Sequence, residues 1–99
     1  MMWATHAIAE LQAGNTAQVR PKGQSMKGRV ESGSLVTLEP CNPDELQVGD
    51  VVLVRVKGRV YLHLIKALRE GQFQIGNNRG GINGWVGPNA IYGIATKVA

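Results

Sequence analysis

Ser25 is the residue whose surroundings best suit it to act as a nucleophile. It lies in Lys22-Gly23-Gln24-Ser25-Met26-Lys27-Gly28-Arg29-Val30, just after Pro21. Proline has no N–H and glycine reaches backbone angles that other residues avoid, so this stretch predicts a shaped turn rather than a helix or strand. A serine on such a turn can present its hydroxyl beside free backbone N–H groups, the geometry of a nucleophile next to an oxyanion hole. Serines between glycines also commonly make a turn and nothing more. Chemistry therefore requires a base from elsewhere in the chain.

Two candidate bases lie in Tyr61-Leu62-His63-Leu64-Ile65-Lys66-Ala67-Leu68. Read as a strand, this run puts His63 on one face with Tyr61 and Ile65, and Lys66 on the other with Leu62, Leu64 and Leu68. Unless a bulge intervenes, only one of them can face Ser25. Histidine titrates near neutrality, and a lysine among apolar neighbours loses solvation of its charged form, so either can supply a neutral base. The structural alternative is a hydrogen-bonded core histidine and a lysine that carries its amine out to solvent.

The elements that must position these groups are short and mostly extended. Thr5 is placed to cap a helix in which Ala4, Ala7, Ile8 and Leu11 share a face, with His6 exposed and Gly14 at the C-terminal end. Thr16 to Arg20 reads as extended and leads into the Ser25 turn. Leu35 to Glu39 is β-rich and closes at Pro40. Val51 to Val56 is the most apolar strand, and Lys57-Gly58-Arg59 makes a three-residue hairpin loop into a strand from Val60 to about Leu68. Arg69-Glu70-Gly71 turns into Gln72 to Ile75. Gly76 to Trp85 is rich in turn formers and reads as an irregular loop whose ordering cost suggests that it lines a site. Ala90 to Val98 is the last strand, with Gly93 a bulge or close-approach point; Trp85 and Tyr92 are read as core or interface residues, the core being preferred. The expected fold is mainly β: a coiled antiparallel sheet or partly open β-barrel (residues 15–99) behind a short N-terminal helix (residues 1–14).

Composition narrows the function classes. A chain of 99 residues supports one modest core. No apolar run approaches the ~20 residues that span a bilayer, and the N-terminus lacks a basic region followed by an apolar one. The expectation is a soluble, cytoplasmic protein without a membrane partner, and a single cysteine, Cys41, fits a reducing compartment. His6 and His63 are too far apart for a ligand pair, so neither a metal nor another cofactor is expected. The net charge is +4, but Arg20, Lys22, Lys27 and Arg29 form the only dense basic cluster, and no aromatic residue interleaves with them. That pattern argues for a solvated rim around a site over a nucleic-acid surface.

The order of the motifs is informative. Gly23-Gln24-Ser25-Met26, then Val48-Gly49-Asp50-Val51-Val52, a base in an apolar strand, Gly76-Asn77-Asn78-Arg79 and Ile91-Tyr92-Gly93 together resemble the signal-peptidase and LexA-like serine peptidase superfamily. The resemblance runs from Val19 to Val98. It implies that Ser25 is the nucleophile, that Met26 shapes the substrate wall, and that Asn77, Asn78 and Arg79 belong to a substrate-binding loop beside the site. It also implies a base that is either lysine or histidine, and the spacing to the Gly76 motif resembles the histidine type when His63 is used. Ala13-Gly14 is similar to the bond such proteins cut in themselves, but it lies so close to Ser25 that a helix C-cap is the expected role.

Three positions depart from the superfamily pattern: Gly28 replaces a proline, Asn77 an aspartate, and Asn83 the later aspartate. Without a carboxylate behind His63, a Ser-His-Asp arrangement is incomplete, whereas a serine-lysine dyad needs no third group and would use Lys66. The expected function is a serine endopeptidase acting on an extended peptide or protein substrate. Its alternative is a catalytically inactive domain of the same fold that binds a peptide or protein. A nucleic-acid-binding barrel is a third and weaker reading.

Overall fold

The computed structural model describes residues 2–99. Helix α1 (Met2–Gln12) is followed by strands β1 (Ala17–Val19), β2 (Val36–Glu39), β3 (Val51–Val56), β4 (Arg59–Arg69), β5 (Gln72–Gly76), β6 (Ile82–Val86) and β7 (Ile91–Val98). All neighbouring strands are antiparallel and form one sheet in the order β1-β2-β7-β3-β4-β5-β6. The sheet is not closed: β1 and β6 are its edges. It coils strongly, however. A side chain added at Gly84 on the β6 edge would stand 3.7 Å from side-chain atoms of Val56 and Lys57 at the end of β3.

Strand β3 explains much of this architecture. Val51-Val52-Leu53-Val54-Arg55-Val56 is apolar on both faces, and every residue but Arg55 is buried. Val51 and Leu53 join a cluster with Leu62, Leu64, Leu38 and the α1 residues Ala4, Ala7 and Leu11. Val52, Val54 and Val56 join a second cluster with Ile65, Phe73, Ile75 and Ile91. A strand buried on both faces is the natural centre of a small sheet, since burying each such side chain contributes roughly 1.5–3 kcal/mol.

Helix α1 presents the apolar face expected from its spacing, and His6 is exposed. Thr5 lies within the helix and not at its N-cap, because the helix begins at Met2. At the other end, the Gly14 and Asn15 N–H groups return to the Leu11 and Glu10 carbonyls at 3.0 and 2.9 Å, the paired bonds of a glycine-terminated helix. Gly93 is a point of close approach: a Cβ there would come within 2.7 Å of the Glu39 carbonyl and 3.0 Å of Leu11. Its missing side chain lets α1 rest on β7.

Two expectations about connections are corrected. The β3–β4 hairpin turns through two residues and not three, because Lys57 and Gly58 both take positive φ, 50° and 82°. That pair matches the right-handed strand twist and lets Arg59 pair directly with Val56. The stretch Gly76 to Trp85 is not one irregular loop. Residues 77–81 form a compact turn, and Ile82–Val86 is strand β6, paired with β5. Asn83 and Gly84 are poor strand formers, so the local signal was hidden and the pairing comes from the partner strand. Trp85 and Tyr92 are half-buried, and each is covered by an arginine: the Arg69 guanidinium lies 4.1 Å from the Trp85 ring centroid, and Arg55 Nε donates to Tyr92 Oη at 2.8 Å.

No helix in the described residues is long and apolar enough to cross a membrane.

Candidate active site

The Ser25 turn belongs to residues 20–34, which contain neither helix nor strand. Two apolar side chains pin it to the core, Met26 at 5% exposure and Val30 at 3%. Hydrogen bonds do the rest. The Gly33 N–H reaches the Pro21 carbonyl at 2.8 Å, the Gly23 N–H reaches Ser32 Oγ at 3.1 Å, and the Gly28 N–H reaches Glu31 Oε2 at 2.9 Å. From across the site, the Asn78 backbone N–H donates to the Ser25 carbonyl and Asn78 Nδ2 donates to the Lys27 carbonyl, both at 2.8 Å.

His63 projects from β4 toward this turn. Its Nε2 is 3.2 Å from Ser25 Oγ, and its Nδ1 is 2.7 Å from Asn83 Oδ1. An amide oxygen can only accept, so Nδ1 carries a proton and Nε2 offers its lone pair to the serine hydroxyl. The Tyr61 ring stacks on the imidazole, with centroids 4.7 Å apart and planes at 26°. Only 5% of His63 is exposed. Burial disfavours its charged form and pushes its pKa below the usual 6.5, while the hydrogen bond to Asn83 pulls the other way. The ring is therefore a neutral acceptor around neutral pH.

Asn83 reaches the imidazole because of an irregularity in β6. Ile75 pairs with Gly84 and Gly76 pairs with Ile82, so Asn83 is the extra residue between them. Bulges re-aim a side chain in this way beside active sites. The asparagine at this position lacks the charge of an aspartate but still presents an acceptor oxygen to His63 Nδ1.

Lys66 goes elsewhere. The β4–β5 register shifts between Ile65 and Ala67, leaving Lys66 at the irregularity, and its Nζ donates to the Asn77 carbonyl at 3.1 Å. Asn77 Oδ1 accepts from the Arg79 and Gly81 N–H groups, each at 2.8 Å, and the Asn77 N–H bonds the Gly81 carbonyl at 2.9 Å. Asn77 thus closes its own turn, Asn78 holds the Ser25 turn, and Arg79 is exposed. None of these three lines the cleft described next, whereas Met26 does, and Asn78 braces the Ser25 turn from outside it.

The cleft occupies about 530 Å³ and opens beside Ser25 and His63. Besides the Ser25 turn, its lining includes Arg20 to Gly23, Arg59 to Leu62 and Trp3 of α1. β5 pairs with β4 only from Leu64 onward, so residues 59–63 have β3 on one side and, among the described residues, no strand on the other. The cleft thus runs along an unpaired strand edge. Sequence reasoning put Tyr61 on the His63 face but gave it no role, and it missed Trp3 and Arg59. The alternation of β4 was the signal available for Arg59.

The Peptidase S24-like family model matches residues 3–78, a span that includes Ser25, His63, Lys66 and Asn78. The chain belongs to this family. That membership agrees with the resemblance to LexA-like and signal-peptidase proteins carried by the ordered motifs. No curated protein and no solved structure matches the chain. Within the S24-like chain, Asn83 lies beyond the matched residues, so its contact with His63 rests on the geometry of β6 alone.

Proposed function

We propose that the protein is a serine peptidase in which Ser25 is the nucleophile, His63 the general base and Asn83 the group that orients the imidazole. The observation that carries this reading is the continuous chain Ser25 Oγ, His63 Nε2, His63 Nδ1, Asn83 Oδ1, with separations of 3.2 and 2.7 Å. In the first step Oγ bonds to the peptide carbonyl carbon and its proton passes to Nε2. Backbone N–H groups of the Ser25 turn receive the oxyanion. The imidazolium then protonates the departing amine as the C–N bond breaks, leaving an acyl-serine. Water, deprotonated by the same nitrogen, releases the acyl group and restores the hydroxyl. The substrate binds extended along residues 59–63, adding a strand to their open edge.

Cleavage of unstructured polypeptides tests the reading directly, together with labelling by a fluorophosphonate, which loses fluoride to an activated serine. Ser25→Ala and His63→Ala are each expected to lower cleavage by roughly 10⁴-fold or more, with the circular dichroism spectrum retained. Labelling should map to Ser25. A Ser25→Ala protein that cuts at the parent rate rules the mechanism out.

A second reading has an observation in its favour. Asparagine occupies both positions where the superfamily pattern has aspartate, Asn77 and Asn83, so the fold could hold a peptide without cutting it. Under that reading no cleavage or labelling is found, and Ser25→Ala leaves peptide affinity unchanged.

A further inference from the structure

The walls of the cleft are unevenly charged. Arg20, Lys22 and Arg59 line it against a single carboxylate, Glu31. The Glu31 carboxylate is already engaged, with Oε2 accepting from the Gly28 N–H at 2.9 Å. Arg20 is held in place by a bond from Nη1 to the Gly33 carbonyl at 3.0 Å. Arg59 lies over the Tyr61 ring, its guanidinium carbon 5.9 Å from the centroid. Arg20, Lys22 and Arg59 are all exposed, so they can meet a carboxylate without the penalty of burying an unpaired charge.

Spacing along β4 gives these charges a position relative to the chemistry. Arg59, Tyr61 and His63 alternate onto one face of the strand. At about 3.3 Å per residue, Arg59 lies roughly 13 Å along the strand from His63. An extended substrate has the same rise, so the residue abreast of Arg59 is about four positions from the bond held at Ser25.

We infer that the cleft selects peptides with an acidic side chain about four residues from the bond at Ser25, received among Arg59, Arg20 and Lys22. The inference rests on the reading of this cleft as a peptide site and names its substrate class. A nucleic-acid strand would also offer negative charge, but it gains much of its affinity by stacking bases on free aromatic faces. Here Tyr61 is already stacked on His63 and overlaid by Arg59, which leaves Trp3 as the one exposed aromatic ring among the lining residues, too few for successive bases to stack on.

The test uses the full chain carrying Ser25→Ala, so that nothing is cut. Ten-residue peptides of Ala and Gln, each with a single Glu moved along the sequence, are compared by fluorescence anisotropy with matched peptides carrying Lys. The best Glu peptide is expected to bind about tenfold more tightly than its Lys counterpart at low salt, since several exposed ion pairs of modest strength act together and are screened as salt rises. Lys22→Gln/Arg59→Gln should bring the two sets within about twofold, and Arg59→Glu, which also leaves as many carboxylates as cations in the lining, should do the same. Equal binding of Glu and Lys peptides, or a preference that survives the double substitution, overturns the inference. So does an oligothymidylate that displaces every Glu peptide at lower concentration. Failure of the parent chain to cut would remove the peptidase reading and leave this preference measurable, whereas failure of every peptide to bind would remove the peptide cleft itself.

Discussion

Residues 20–34 carry Ser25 without a helix or strand, whereas His63 rides on β4, which is paired to β3 from Arg59 to Leu64 and buried on both faces from Leu62 to Ile65. His63 is placed by the hydrophobic core, whereas Ser25 is placed by the two anchors Met26 and Val30 and by a set of hydrogen bonds, several of them to backbone carbonyls. Core packing tolerates little displacement, because interiors are close-packed. A turn held by individual bonds of about 1 kcal/mol each is easier to shift. The difference predicts where the site is vulnerable: substitutions around His63 should change its protonation and orientation, and substitutions around Ser25 should change its position.

Asn83 offers the largest effect short of removing Ser25 or His63. Asn83→Ala removes the acceptor that fixes the imidazole tautomer and is expected to lower kcat by roughly 10²-fold with little change in KM, since no substrate contact is lost. Asn83→Asp supplies the missing charge. In the proposed mechanism the neutral ring is the base, so cleavage should fall as pH drops, with a midpoint under 6.5 in the parent chain because burial disfavours the imidazolium. A carboxylate at position 83 would favour the imidazolium, move that midpoint upward and raise kcat by about tenfold. A pH–rate profile for the three proteins checks both directions. An unchanged midpoint in Asn83→Asp would mean that His63 does not titrate in the rate-determining step.

The nucleophile side of the comparison is sharpened by Asn78. Its side chain holds the Lys27 carbonyl and its backbone N–H holds the Ser25 carbonyl, yet it does not line the cleft. Asn78→Ala deletes only the side-chain bond. The expected result is a loss of about 1 kcal/mol in stability and a roughly tenfold lower kcat, from a Ser25 hydroxyl no longer held at 3.2 Å from Nε2. A urea titration and initial rates measure the two effects, and a purely structural role would move the first without the second.

The same contrast explains what the sequence disclosed. The uninterrupted apolar run of β3 and the alternation of β4 made the central sheet readable, although a register shift at Lys66 interrupts that alternation just past His63. Pro21, Gly23 and Gly28 marked the Ser25 turn. What holds that turn was not readable, because Asn78 is 53 positions away and acts through the carbonyls of Ser25 and Lys27, which have no sequence signature. β6 was missed because Asn83 and Gly84 weaken a strand that exists through its pairing with β5. Asn83 was read as a missing charge, and what the sequence did not show is that a bulge aims its acceptor oxygen to within 2.7 Å of His63 Nδ1.

The smallest expected effect belongs to Lys66, and it bears most directly on which residue is the base. The lysine amine bonds the Asn77 carbonyl at 3.1 Å, and its stem crosses Gly76, where an added Cβ would come within 2.9 Å of Lys66 Cγ. Lys66→Met keeps that stem and deletes only the amine. If His63 is the base, the variant should cut within about threefold of the parent, with the pH midpoint unchanged and a stability loss near 1 kcal/mol for the bond to Asn77. If instead Lys66→Met removes activity as fully as Ser25→Ala, the lysine is the base, and the turn at residues 77–81 must open to release its amine toward Ser25. The pH profile separates the two cases independently of the rate. A histidine base gives an acid limb under 6.5 that moves upward in Asn83→Asp, whereas a limb indifferent to that substitution excludes His63 as the base.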